Sequence, residues 1–250
     1  MQTSKEKLRE AVRGIARRMG FEVVRRSSAP LGFNKYTDLP KLLAGNRTPT
    51  IIDVGSNVGH TIIAYKKLFP DAVIHAFEPS PAIFEELERR ITHLPGVIRN
   101  QVALGSKSEA RTFLENSETH MSSFLNPDRE CWGKVVKETQ VQVRTLDDYC
   151  ADAGVHQLDL LKVDAQGFDL EVLKGATRMI GSGQIPLLLI EITFARHYVG
   201  APTFDELYRF LIDHGYRLMT LYELQYRNGL AHWCDALFVH ESSPRCAPLV

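Results

Sequence analysis

The 250-residue sequence predicts an α/β fold, a mostly parallel, Rossmann-like sheet with helices on both faces. Three observations predict it. Short apolar runs rich in β-branched residues and leucine (TIIDV, AVIHAFE, LDLLKVD, IPLLLIEI) recur along the chain, and their continuity marks strands buried on both sides. Stretches of helical period separate most of them. The first strand also leaves through a glycine-bearing turn, GSNVG, directly before a helix, which is where open α/β sheets bind ligands.

The elements follow in order. Leu8, Val12, Ile15 and Met19 predict an amphipathic helix over 5–19, with Lys5, Arg9, Arg13, Arg17 and Arg18 on its remaining surface. Pro30, Gly32, Pro40, Gly45 and Pro49 make 27–49 read as loop, so residues 1–49 form a lead-in and 50–250 the domain proper. After TIIDV, the residues Val58, Ile62, Tyr65 and Phe69 mark one face of a helix that Pro70 closes. AVIHAFE is the second strand. Pro81 opens the next helix, with Ile83, Leu87, Ile91 and Leu94 on its face. GVIRNQVAL reads as a third strand. Residues 105–150 interrupt the alternation with β-prone pieces (ARTFLE, VQVRTL) around the polar stretch SETHMSSFLNPDRE.

Regular order resumes with LDLLKVD and a helix carrying Leu170, Leu173 and Ile180, then IPLLLIEI. Thr203 and Glu206 stand at capping-box spacing for a helix that ends at Gly215. YRLMTLYELQY and DALFVH finish the chain; the connection between them is too short for a crossover helix, so they pair antiparallel.

Composition narrows the function. Lys+Arg and Asp+Glu both number 30, a balance that argues against a general nucleic-acid binder. Cys131, Cys150, Cys234 and Cys246 form no CxxC pair and no zinc-like spacing with histidine, which suits a reducing compartment. The N-terminus has no continuous apolar h-region, and the longest apolar run falls far short of the ~20 residues that span a bilayer. The expectation is a soluble cytoplasmic protein.

The turn itself selects a ligand class. Gly55 and Gly59 permit a tight turn and close backbone approach, and Glu78, at the end of the next strand, is placed to accept hydrogen bonds from two ribose hydroxyls. A dinucleotide loop reads GxGxxG; here its second glycine is Asn57 and the pattern is DxGxNxG. No GKS or GKT follows, so the loop is not a phosphate P-loop. A nucleoside without a pyrophosphate fits, with S-adenosylmethionine foremost. Its binding set would be Asp53, Gly55, Ser56, Asn57, Gly59, Glu78 and Pro79, with Ala103 and Leu104 in an apolar slot for the adenine.

These elements together resemble the FkbM-type S-adenosylmethionine-dependent methyltransferases. That family's pattern runs DxGxNxG, FEP, LDD and K-[IV]-D-x-[EQ]-G-x-[DE]-x-x-[VL]-L-K-G-A, and it stands here as Asp53–Gly59, Phe77–Pro79, Leu146–Asp148 and Lys162–Ala176. One departure is Gln166, where many relatives carry glutamate. The resemblance implies the class I methyltransferase fold, seven strands with an antiparallel final strand. It also implies methyl transfer mostly to hydroxyl oxygens, often on sugars or polyketides.

The residues allow the same chemistry. Methyl transfer from a sulfonium needs an aligned oxygen and a group to take its proton. Asp164, at a strand end, is the first candidate, as base, as orienting group or as magnesium ligand; a metal is not required by the sequence, and Asp164 could instead cap the following helix. Glu191 follows an apolar run at the next strand end, for a site role or as a partner of Lys162, and His120 lies in the irregular stretch where acceptor specificity could be carried. His60 follows Gly59 at the helix start. A nicotinamide oxidoreductase and a non-catalytic S-adenosylmethionine-binding module are the competing readings; the missing GxGxxG opposes the first, and Glu78 with Asp164 the second. The expected partner is a small-molecule or glycan hydroxyl, with no nucleic acid. Oligomeric state stays open, a homodimer included.

Overall fold

A computed structural model describes residues 4–21, 30–43 and 46–243. Gly45 and Cys246 lie outside them. Helix α1 (Ser4–Arg18) precedes helix α2 (Lys35–Leu42), which the prolines and glycines around it had hidden. Pro40 sits inside α2 and costs it one backbone donor. Two things offset that cost. Asn34 caps the helix by accepting from the Tyr36 N–H, and Leu39, Leu42 and Leu43 are buried in the core beside Ile51 and Ile62.

Seven strands form the main sheet: β1 (Thr50–Val54), β2 (Val73–Phe77), β3 (Val97–Asn100), β7 (Leu160–Val163), β8 (Leu187–Thr193), β9 (Tyr216–Arg227) and β10 (Leu230–His240). Their order is β3-β2-β1-β7-β8-β10-β9, so β1 and β7 are central neighbours. The strands from β3 to β8 are parallel, and β10 inserts antiparallel between β8 and β9. Asn228 and Gly229, both with positive φ, turn β9 into β10, a two-residue hairpin turn. Burial on both faces is visible within one strand: Ile51 packs in one core cluster and its neighbour Ile52 in the other.

Helices α3 (His60–Leu68) and α4 (Pro81–Ile91) follow β1 and β2. Ser80 caps α4 through its hydroxyl, with Pro81 at the first helical position. Helix α8 (Phe204–Asp213) begins at the expected capping box, Glu206 accepting the Thr203 N–H at 2.8 Å.

Three segments differ from the sequence reading. GVIRNQVAL is not one strand: β3 stops at Asn100, and Ala103–Leu104 (β4) belongs to a second sheet, β4-β6-β5, with β5 (Glu109–Asn116) and β6 (Val135–Arg144). Helix α5 (Leu146–Ala153), capped by the Thr145 hydroxyl, lies where the sequence showed only β-prone pieces and the LDD motif. The helix expected through Ile180 is two, α6 (Asp169–Lys174) and α7 (Thr177–Gly181). Gly175 lies between them, at a close approach that only glycine permits: a Cβ there would lie 2.0 Å from the Gly105 carbonyl oxygen. Among the described residues no helix is long and apolar enough to cross a membrane.

Candidate active site

The turn after β1 is held by its neighbours on both sides. The Gly55 and Ser56 N–H groups both donate to the Phe77 carbonyl, at 3.1 and 2.9 Å. Gly55 has φ +74°, and a Cβ at that position would stand 1.9 Å from the Asp164 carbonyl oxygen. The turn and the end of β7 therefore approach more closely than any side chain allows. Asn57 is also left-handed, with φ 45°, and its N–H donates to Glu78 Oε2 at 3.0 Å while the Ser80 N–H donates to Oε1 at 2.9 Å. Glu78 is only 6% exposed. Burial pushes its carboxyl up to about 7 against the lowering pull of the Ser80 and Asn57 N–H groups.

Behind the turn, Lys162 Nζ lies 3.3 Å from Asp53 Oδ1, 3.3 Å from Asp164 Oδ2 and 3.4 Å from the Gly55 carbonyl oxygen. Strand period explains the set: Lys162 and Asp164 are two residues apart and share a face, and Asp53 is the register partner of Lys162 across β1 and β7. Burial alone would lower the lysine. The charges of Asp164 and Asp53 outweigh it and hold Lys162 well above its ordinary value. Desolvation by contrast raises Asp53, which is fully buried; the ammonium is the charge that offsets it.

Gln166 ties the next layer together. Its Nε2 donates to Asp164 Oδ1 at 2.7 Å and to Glu191 Oε2 at 3.0 Å, and its Oε1 accepts from the Tyr198 hydroxyl at 2.8 Å. Its backbone is left-handed, with φ 51°, and its carbonyl accepts from the Ser123 hydroxyl at 2.7 Å. Glu191 thus pairs with Gln166 and not with Lys162. Desolvation, then the charges of Asp164 and Asp169, hold its carboxyl well above the usual range. No side chain caps α6: the Asp164 carboxylate goes to Lys162 and Gln166, while Asp169, the first residue of the helix, accepts from the Ala165 and Gly167 N–H groups of the loop before it, at 2.8 and 3.0 Å.

Part of this set surrounds a cavity of about 410 Å³. Gly55, Ser56 and Asn57 line one side, followed by Glu78 and Pro79 at the end of β2. Val102, Ala103 and Leu104 form an apolar slot, and Asp164 and Gln166 line the cavity from the loop that follows β7. His60 lines the cavity, and exposed His120, on a short 3₁₀ turn (Thr119–Met121), borders it. Asp53, Gly59 and Glu191 do not line it. Asp53 lies beneath the turn, Gly59 opens α3 where a Cβ would meet Leu87 and Ile91, and Glu191 lines a neighbouring cavity with Tyr198.

Sequence reasoning missed the aromatic wall. Phe113, Phe124 and Phe168 line the cavity, with ring centroids 5.0 Å apart for Phe113–Phe124 and 4.7 Å for Phe124–Phe168. Arg111 lies over Phe168, 4.8 Å from its centroid. The alternation of Arg111 and Phe113 in ARTFLE was the available signal, but nothing in it points to Phe168. Among the described residues no group of three or more His, Cys, Asp or Glu side chains could hold a metal ion. Asp164 as a magnesium ligand also meets the Lys162 ammonium on its Oδ2, a cation already in place.

The cavity suits the adenosyl group: a volume within the usual ligand range, a carboxylate for a diol, turn backbone and an apolar slot. Comparison with known proteins agrees. The sequence profile of the methyltransferase FkbM domain matches residues 53–218, about two thirds of the chain. The chain belongs to the FkbM methyltransferase family. Methyltransferase 1 of Beauveria bassiana is 32% identical over 142 residues, 50% of this chain and 57% of that protein. The hexuronic acid methyltransferase AglP of Haloferax volcanii is 32% identical over 148 residues, 56% of this chain and 54% of AglP. The 2-O-methyltransferase NoeI of Sinorhizobium fredii is 24% identical over 144 residues, 51% of this chain and 57% of NoeI. The chain thus matches a little more than half the length of these relatives. The fold is that of class I methyltransferases: the crystal structure of methyltransferase FkbM from Methylobacillus flagellatus superposes with a TM-score of 0.55 at 17% identity, over 85% of this chain and 48% of that one.

Proposed function

We propose that this FkbM-family protein is an S-adenosylmethionine-dependent O-methyltransferase acting on a hydroxyl of a sugar or related small molecule. The observation that carries the reading is Glu78, buried at the end of β2, tied to the Asn57 N–H and facing the cavity beside the Gly55–Asn57 turn. A carboxylate there is suited to the two ribose hydroxyls, and Val102, Ala103 and Leu104 offer the adenine an apolar slot. The cofactor supplies a methyl group activated on a sulfonium. Asp164 faces the same cavity, and its carboxylate is suited to orient an acceptor hydroxyl and take its proton. Lys162 and Gln166 fix that carboxylate from both sides. Glu191 supports Gln166 from outside the cavity, and His120 borders the opening, where it would meet the acceptor.

The names of two relatives, a 2-O-methyltransferase and a hexuronic acid methyltransferase, support oxygen on a sugar as the acceptor. The free thiols Cys131, Cys150 and Cys234 support a reducing compartment, the cytoplasm. Isothermal titration tests the cofactor. S-adenosylhomocysteine should bind in the micromolar range, about 8 kcal/mol, with no binding of NAD. Binding of NAD in place of S-adenosylhomocysteine would overturn the reading and favour an oxidoreductase.

A further inference from the structure

Among the described residues, helix α1 is an amphipathic helix that leaves its apolar residues exposed and lies outside the cavity. Val12, Ile15 and Met19 recur at helical spacing and are 48, 60 and 67% exposed, and Phe21, just past the helix, is 63% exposed. Residues 4–21 carry six basic side chains (Lys5, Lys7, Arg9, Arg13, Arg17 and Arg18) against Glu6 and Glu10, in a chain whose total charge is zero. At helical spacing, Arg13 and Arg18 fall on opposite sides of the apolar stripe. A helix with bulky apolar residues on one face and cations beside them suits the plane between lipid headgroups and acyl chains, where the first are buried and the second meet anionic lipid.

We propose that α1 docks this protein onto an anionic membrane surface. Charge complementarity chooses this occupant. A nucleic acid would meet the cations but leave Val12, Ile15 and Met19 in water; a second copy of the helix would cover the apolar stripe but bring like charges together. An anionic bilayer satisfies both features at once.

Co-sedimentation of the full chain with vesicles tests the proposal, and its readout is independent of methyl transfer. The protein should pellet with vesicles of phosphatidylcholine mixed with phosphatidylglycerol, less so as salt rises, and stay in the supernatant with phosphatidylcholine alone. Ile15→Glu should lower binding by at least ~10-fold, the loss expected when a buried isoleucine becomes a charge. Arg13→Glu with Arg18→Glu should remove the preference for anionic lipid. All three positions lie outside the cavity, so S-adenosylhomocysteine binding and the melting temperature should match the parent and certify folded variants. No binding to anionic vesicles, or equal binding by Ile15→Glu, would overturn the proposal. So would RNA binding that Ile15→Glu leaves intact, or concentration-dependent dimerisation that Ile15→Glu abolishes in a protein that does not pellet.

Discussion

Gln166 donates one amide to two carboxylates, Asp164 at 2.7 Å and Glu191 at 3.0 Å, while the Tyr198 hydroxyl occupies its oxygen and so fixes which way the amide points. A glutamine can do this and an ionised glutamate cannot, since a carboxylate has no proton to give either neighbour.

Gln166→Glu should therefore make a cluster of three carboxylates. Like charges at this distance raise carboxyl pKa values, and a group raised in the folded state costs stability once pH exceeds its unfolded value. Destabilisation should be roughly 2 kcal/mol at about pH 8, a fall of some 4–8 °C in melting temperature for a domain of this size, and should vanish only below about pH 4. Thermal melts across that range decide it. Equal melting temperatures at the higher pH would show that the amide is not needed as a donor.

The second prediction concerns Glu78 and pH. In the free protein burial raises its carboxyl to about 7. Hydrogen bonds from ribose hydroxyls favour the charged form, so the bound state has the lower pKa and binding releases a proton near neutrality. Affinity for S-adenosylhomocysteine should then rise with pH up to a plateau above 7, gaining about tenfold between roughly pH 6 and 8. Glu78→Gln should bind more weakly and lose this dependence. Titration calorimetry in buffers of different ionisation heat reads both the affinity and the proton released. A flat profile in the parent would mean that Glu78 does not meet the ligand.

The third prediction separates tight approach from backbone freedom. Gly55 and Gly154 both have positive φ, but a Cβ meets the Asp164 carbonyl oxygen at 1.9 Å at the first and nothing within 4 Å at the second. Gly154→Ala should cost about 1 kcal/mol, the left-handed backbone alone. Gly55→Ala should cost roughly 3 kcal/mol or more, because the end of β7 must move. Denaturant unfolding gives the two values, and equal costs would show that the approach of β1 and β7 has slack.

That contrast also explains what the sequence disclosed. The strands from β1 through β8 that are buried on both faces announce themselves, since few other structures need an unbroken run such as LLLI, and the Gly55 turn is marked by its glycines. Helix α2 was masked because its burial depends on Leu39, Leu42 and Leu43 meeting Ile51 and Ile62, whereas Pro40 speaks locally against a helix. The break after Asn100 was invisible because Val102, Ala103 and Leu104 stay apolar while changing sheets. In the site, Glu78 and Asp164 were legible from strand ends. Gln166 with Tyr198 was not, because the pair forms through a loop 32 residues away. The Lys162–Asp53 contact needed the register of two strands, which periodicity within either strand does not specify.

The last prediction tests Asp164. Asn keeps the size of the side chain and an oxygen toward Lys162, but removes the charge and the basicity. The protein should remain folded, because Asp53 still faces the lysine at 3.3 Å and Asp169, not Asp164, accepts the Ala165 and Gly167 N–H groups of the loop before α6. Affinity for S-adenosylhomocysteine should change little, since Glu78 and the Gly55–Asn57 turn are untouched. Turnover on an acceptor sugar should fall by ~10²-fold or more if Asp164 takes the hydroxyl proton. Adding EDTA to the parent, then magnesium, separates proton transfer from metal binding: a base is indifferent to both, whereas a metal ligand loses activity with the first and regains it with the second. Full turnover in Asp164→Asn would remove Asp164 from the chemistry, and His120, which borders the same cavity, would become the group to substitute next.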